Sequence, residues 1–133
     1  MFKGYLLKFG NKILPNEFIK LDSYIVNSNK RTVLSEYYDN LNNLHRNVSP
    51  NFKTSIQFTL LESNVETFKN IQSIILNAIT NNVERKTNVT FWHTEINNYV
   101  TATFYFNDPI FKIKKITDND VIYNEISYTL NQY

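Results

Sequence analysis

Two histidines, one triplet of oxygen-bearing side chains and one lysine-rich segment are the places where residue type and spacing could support chemistry. His93 stands two residues before Glu95, and in an extended strand that spacing puts both on one face, where they could form an acid/base couple. No nucleophile or third orienting group accompanies them, so the pair is expected in a solvent-facing polar row opposite Trp92, Thr94 and Ile96. His45 lies beside Arg46 at the exit of a loop. Asp118-Asn119-Asp120 offers oxygen ligands but lacks the glycine and distal glutamate of a calcium loop, so it reads as a hairpin turn. No HxH or HExxH spacing occurs, and no metal is assigned. With Gly4 and Gly10 as the two glycines, neither GxGxxG nor GxxxxGK[ST] can be written, which removes the usual phosphate cradles, and no cofactor is assigned. The absence of cysteine removes disulfides, thiolate metal sites and Cys nucleophiles together. No catalytic residue is assigned, and the chain is not expected to be an enzyme.

The segment Lys112-Ile113-Lys114-Lys115, near Phe104, Tyr105, Phe106 and Phe111, has the composition of a platform for single-stranded nucleic acid. Lysines guarding an edge strand account for it more simply, because Phe104 and Phe106 share the parity of Val100 and Ala102 and are expected in the core. Fourteen Lys and Arg against twelve Asp and Glu give a net charge of +2, too little for strong electrostatic capture of nucleic acid. A monomeric module that binds single-stranded nucleic acid or glycan through exposed aromatics and lysines is the competing function.

The elements that must position these residues are mostly strands. Nine tyrosines and ten phenylalanines stand against two alanines, so strand-favouring residues dominate and an all-helical bundle is excluded. At 133 residues and 42% hydrophobic content, a single domain spanning 1–133 is expected. No window reaches the roughly 18 apolar residues of a spanning helix, and Met1-Phe2-Lys3-Gly4 leads straight into alternating sequence, so the chain is expected to stay where it is made. The 21 asparagines are scattered, as genome bias would scatter them, and the sequons Asn47-Val48-Ser49 and Asn88-Val89-Thr90 follow from that abundance.

Phe2–Phe9 and Lys12–Leu14 around Gly10-Asn11 predict an opening hairpin. Phe18 to Val26 predicts a strand ended by the polar turn Asn27-Ser28-Asn29, and Phe52 to Leu60 carries the clearest period-two alternation. Ser63 and Glu66 form a capping-box pattern ahead of apolar residues at helical spacing, which predicts one amphipathic helix over about 63–80. Four further strands follow, Thr87–Ile96, Tyr99–Phe106, Ile110–Ile116 and Val121–Leu130, with separators short enough for an antiparallel meander. One helix cannot cover both faces of so large a sheet. The expected fold is therefore α+β, predominantly antiparallel, a β-sandwich or partial barrel with one flanking helix.

Between Lys30 and Asn51 strand-like residues climb to Tyr37-Tyr38, turn through Asp39–Asn43 and return through Leu44–Val48, which predicts a protruding hairpin arm. Such an arm buries too little to offset about 1–2 kcal/mol of backbone entropy per residue, so it is expected to find a partner.

Four segments carry a likeness over nearly the whole chain: Gly4-Tyr5-Leu6-Leu7-Lys8-Phe9-Gly10, Tyr24 to Thr32, Tyr38-Asp39 to Leu44-His45-Arg46, and Tyr123-Asn124-Glu125-Ile126 to Tyr133. In order and spacing they resemble small uncharacterised proteins of the tail gene clusters of phages and prophages of low-GC Gram-positive bacteria, similar to distal-tail and tail-tube proteins. The resemblance implies a tail-tube-like fold and a structural virion protein of the tail tube, distal tail or baseplate, made in the host bacterial cytoplasm. It further implies rings, commonly hexameric, built from copies of the chain and neighbouring tail proteins, with no membrane partner and nucleic acid only in passage through a lumen. On that basis Arg31, Tyr37, Tyr38, Asp39, His45 and Arg46 are the expected interface, and Lys112, Lys114 and Lys115 are candidates for the lumen or rim.

Overall fold

The computed structural model describes residues 1–133, apart from the side chain of Asn29. Strands β1 (Leu7–Phe9) and β2 (Lys12–Leu14) form the opening hairpin, turned at Gly10, whose φ of 59° a residue with a Cβ adopts only under strain. There follow β3 (Ile25–Lys30), β4 (Val33–Tyr38), β5 (Leu44–Val48), β6 (Lys53–Leu60), the two-residue β7 (Ser63–Asn64) and helix α1 (Val65–Asn77). The chain ends with β8 (Ile79–Asn81), β9 (Lys86–His93), β10 (Asn98–Phe106), β11 (Ile113–Ile116), β12 (Val121–Tyr123) and β13 (Ile126–Gln132). The main sheet has the order β2-β1-β9-β10-β13-β6-β3, with β8 beside β9. A small sheet has the order β11-β12-β7, and β4 and β5 pair with each other. Every one of these pairings is antiparallel.

The main sheet curls on itself. Phe9 on β1 and Phe58 on β6 are four strand positions apart, about 19 Å across a flat sheet, yet their ring centroids are 6.2 Å apart. Phe106 stacks on Phe9 at 5.8 Å, Tyr128 stacks on Phe58 at 5.4 Å, and Phe106 meets Tyr128 edge-on at 5.9 Å, so four rings from four strands share one interior. Across the same gap the Tyr24 hydroxyl donates to the Trp92 carbonyl at 2.7 Å, and burial pushes that phenol well above its ordinary pKa. Alternate residues of β9 (Thr87, Val89, Phe91, His93) and of β13 (Ile126, Tyr128, Leu130) point into this interior. The apolar face thus closes on itself as a partial barrel.

The helix plugs one end. Ile71 and Ile75 are buried, and Gln72 donates to the Tyr128 hydroxyl at 2.5 Å. Phe68 stacks on Tyr123 at 4.3 Å and meets Phe111 edge-on at 5.7 Å, which ties the small sheet to the helix. At the helix C-terminus the Thr87 hydroxyl donates to the Ala78 carbonyl at 2.8 Å, giving an orphan carbonyl a partner. The opposite end, where β9 turns into β10 and where β3 and β6 lead into the arm, carries no helix. Outside the barrel, the Tyr99 hydroxyl donates to Tyr5 and accepts the Lys3 N–H, so residues before β1 lie against a patch formed with Phe2 and Trp92.

Several sequence expectations are corrected. Of the strand expected over Phe18–Val26, Ile25 and Val26 lie in β3, while the part before them is two 3-10 turns, Asn16–Phe18 and Leu21–Ser23, with Ile19 between them bridged to Leu60 of β6. The polar cluster Asn27-Ser28-Asn29 lies within β3, because the neighbouring ladder of β6 offers Asn27 and Lys30 partners that outweigh local turn preference. The helix has 13 residues, and its cap is Asn64, whose Oδ1 accepts the Thr67 N–H at 2.9 Å; Ser63 is used in pairing with Tyr123. It stops at Asn77 because Ile79–Asn81 pair with β9. The meander breaks after β10, which pairs with β13, while β11 and β12 leave the main sheet; the strand expected over Val121–Leu130 is interrupted at Asn124-Glu125. His93 faces inward, 5% exposed, in place of the solvent-facing row.

Replacing Phe58 with Ala should cost about 3–5 kcal/mol, since it removes a ring from the shared interior. Asn64→Ala should cost about 1 kcal/mol through loss of the cap. Urea unfolding followed by far-UV circular dichroism checks both, and a Phe58→Ala penalty below about 1 kcal/mol would mean that the interior ring cluster does not hold the curl.

Candidate assembly interface

The arm of β4 and β5 is exposed along nearly its whole length, with Leu34 at 61%, Tyr37 at 61%, Tyr38 at 62% and Leu41 at 83%. Its strands pair Glu36 with Arg46, Tyr37 with His45 and Tyr38 with Leu44, with a bulge between Val33 and Ser35. Strand alternation then gives two unlike faces. One carries Tyr37, His45, Ser35 and Asn47; the other carries Tyr38, Leu44, Glu36, Arg46 and Val48.

The tip has a fixed shape. Asp39 Oδ1 accepts the N–H groups of Leu41 at 2.9 Å and Asn43 at 2.8 Å, while its Oδ2 is hydrogen-bonded to His45 Nε2 at 3.0 Å. Asn42 takes the left-handed conformation at φ 63°, which asparagine tolerates better than most residues. The His45 ring lies 4.7 Å from Tyr37 and nearly parallel to it. His45 first, and then the backbone amide of Asn43, hold the Asp39 carboxyl below the ordinary carboxylate range. The Arg46 guanidinium is 3.8 Å from Glu36, and at the root the Arg31 guanidinium covers the Phe52 ring at 4.4 Å. The Tyr38 side chain has no ring or hydrogen-bond partner among the described residues, and Tyr38 sits opposite Leu44 in the strand register.

Of the expected interface residues, the structure brings Tyr37, Asp39 and His45 into direct contact, sets Arg46 and Tyr38 on the opposite face, and leaves Arg31 at the root. Lys112, Lys114 and Lys115 lie at or on β11, in a different sheet. Lys114 is 2.6 Å from Glu62, and Lys112 lines an open groove of about 720 Å³ beside Asp108 and Glu125. Neighbouring carboxylates therefore offset Lys112 and Lys114. Phe104 and Phe106 are 0% and 4% exposed, so they give nucleic acid no stacking surface.

Two features escape the sequence reading. The apolar face of the arm is hidden by the bulge, although Tyr38, Leu44 and Val48 keep one alternation. The unplugged barrel end holds a cavity of about 220 Å³ lined by His93, Phe91, Val100, Ala102, Thr54 and Gln132 among others. Its signal was present, since Val89 and Phe91 share the parity of His93.

From residue 1 to residue 133 the sequence matches the family described as "Family of unknown function (DUF6711)". No curated protein matches it. Among solved structures the fold is similar to a chain from the tail of an empty GTA (gene transfer agent) particle, determined by helical refinement with C6 symmetry. That likeness has a TM-score of 0.55 at 9% identity and covers 98% of this chain and 92% of the other.

The Asp39 carboxyl should titrate below 3.8, its ordinary value, and return towards it in His45→Ala. Because the shift is downward, the order it lends the arm tip is complete above the ordinary value and is lost as pH falls through the lowered one. Carboxyl carbon NMR across an acid titration measures this, and an unchanged midpoint in His45→Ala would remove His45 as the cause.

Proposed function

This chain belongs to the DUF6711 family along its whole length, and we propose that it is a structural subunit of a phage-type tail, assembling into a ring in the tail tube, distal tail or baseplate. It acts in a virion tail after synthesis in a host bacterium, and its work is geometric: it binds copies of itself and neighbouring tail proteins, and it turns over no substrate. Two observations support this. The barrel-and-helix fold is shared, nearly end to end, with a chain from a tail of C6 symmetry, which favours a hexameric ring.

The arm is the observation that carries self-association. A two-stranded ribbon alone in water is marginal at best. This one nonetheless exposes Leu34 near its root, and Tyr38 and Leu44 beside a tip whose shape is fixed by Asp39 and His45. Full burial of one such large side chain contributes about 1.5–3 kcal/mol, so a neighbour covering all three would stabilise the arm by on the order of 5 kcal/mol. Both signs of charge on the arm, Glu36 with Arg46, suit a complementary protein surface better than a polyanion.

Replacing residues 33–48 with a short Gly-Ser turn tests this directly. The full chain should form rings or higher oligomers in sedimentation velocity and negative-stain images. The shortened chain should stay monomeric with an unchanged circular dichroism spectrum. Normal infectious tails built from the shortened chain would refute arm-mediated assembly.

A further inference from the structure

We infer that the arm is the outer half of the hairpin begun by β3 and β6, joined to it by a switchable root. The root converts between the bulged form of this structure and a continuous ladder, and the contact of Arg31 with Phe52 latches the bulged form.

The strand registers carry the inference. In the barrel, Ile25 pairs with Gln57, Val26 with Ile56 and Asn27 with Ser55; in the arm, Ser35 pairs with Asn47 and the ladder runs on to Tyr38 with Leu44. In every one of these pairs the two residue numbers add to 82. Between the two stretches the register slips one way at Lys30 with Lys53, the other way at Val33 with Val48, and then recovers. Asn27 to Ser35 is eight residues and Asn47 to Ser55 is also eight, so the bulges on the two strands cancel. A slip of one residue would turn a strand's side chains to the opposite face. Here the ladder resumes in the register it left, so it can close across the root without moving a pair on either side.

Faces and hydrogen bonds agree with a single hairpin. Even-numbered residues point into the barrel at Ile56 and Phe58, and even-numbered Leu34, Tyr38 and Leu44 form the apolar face of the arm. At the tip the Asp39 N–H donates to the Asn43 carbonyl at 3.0 Å, which makes odd-numbered pairs the hydrogen-bonded ones. On β6 the Thr54 N–H turns away from β3 to Gln132 Oε1 at 2.9 Å, so odd residues face the partner strand there too. Pro50, with no N–H to donate, is even-numbered and falls where the closed ladder needs none.

The latch follows from the same parity. Arg31 is odd and Phe52 even, so a continuous ladder would place them on opposite faces. The Arg31 guanidinium nevertheless covers the Phe52 ring at 4.4 Å, a contact that the bulges permit. An exposed cation–π contact biases such an equilibrium by about 2- to 5-fold, a bias that a docking neighbour can override. The Ser49 N–H marks the state: it donates to the Thr32 carbonyl at 2.9 Å in the bulged root and would donate to Val33 in the closed one. Closure returns two residues of each strand to the ladder, which carries the tip about 7 Å farther from the barrel. Because bulges bend strands, it also changes the direction of the arm. One contact face thus reaches two positions while both ladders stay intact.

The chain has no cysteine, so nitroxide labels at Leu41→Cys on the tip and Lys69→Cys on the helix report the distance from arm to barrel. Pulsed electron paramagnetic resonance on labelled chains diluted in unlabelled ones should resolve two distances about 7 Å apart. Arg31→Ala should raise the ratio of the longer to the shorter about 2- to 5-fold, and should add nothing in a Phe52→Ala background. In Arg31→Ala, NMR coupling through the hydrogen bond from the Ser49 amide to the Val33 carbonyl should appear. A single distance unchanged by Arg31→Ala would overturn the switch. Two distances in a ratio that Arg31→Ala leaves unchanged would overturn the latch. Distances that spread in Arg31→Ala without the coupling from Ser49 to Val33 would show a root that frays, which overturns the closed ladder.

Discussion

The structure depends on the closure of one sheet around four rings. Phe9, Phe58, Phe106 and Tyr128 come from β1, β6, β10 and β13, and their mutual contact is geometrically impossible in a flat sheet. Strand twist supplies the bend, and burial of the rings holds it. Once the curl is fixed, the remaining features follow. One helix suffices because it need only plug an end and not cover a face. Gln72 on that helix reaches the Tyr128 hydroxyl, so the polar tip of the innermost tyrosine is satisfied without opening the core.

Closure also divides the molecule into two unlike ends. At the helix end the small sheet packs through Phe68, Phe111 and Tyr123, and Thr87 completes the hydrogen bonding of Ala78. At the other end the barrel keeps a cavity beside His93, and the chain leaves the sheet to form an arm whose two strands pair only with each other among the described residues. Large exposed side chains stand at both ends, Leu34, Tyr37, Tyr38 and Leu41 on the arm and Ile110, Ile113 and Ile116 by the small sheet. At the arm's tip the bonds of Asp39 and His45 shape the turn while leaving the Tyr38 and Leu44 face uncovered.

Much of this was legible in the residues. The opening hairpin, the alternation of Phe52–Leu60, the single helix, the inward parity of Phe104 and Phe106 and the arm with its Asp39–Asn43 tip all follow from local spacing, because strand and helix periods are properties of neighbouring residues. The errors lie where a distant partner outbid a local preference. Ser63 had the pattern of a cap but was taken by Tyr123, leaving the task to Asn64. Asn27-Ser28-Asn29 had turn composition but found a ladder beside β6. His93 looked solvent-facing beside Glu95, yet it continues the row begun by Val89 and Phe91.

The sequence by itself determined the composition of the fold: antiparallel strands, one amphipathic helix, no glycine-rich phosphate loop, no thiol chemistry and a polar hairpin too thin to bury itself. Periodicity and side-chain inventory decide those matters, and both are local. Tertiary structure alone decided that β10 pairs with β13, that the sheet closes into a barrel with one open end, and that the arm and the His93 cavity share that end. Those are relations between residues far apart in the chain, fixed by which apolar faces can be buried together, and no spacing rule within a short window encodes them.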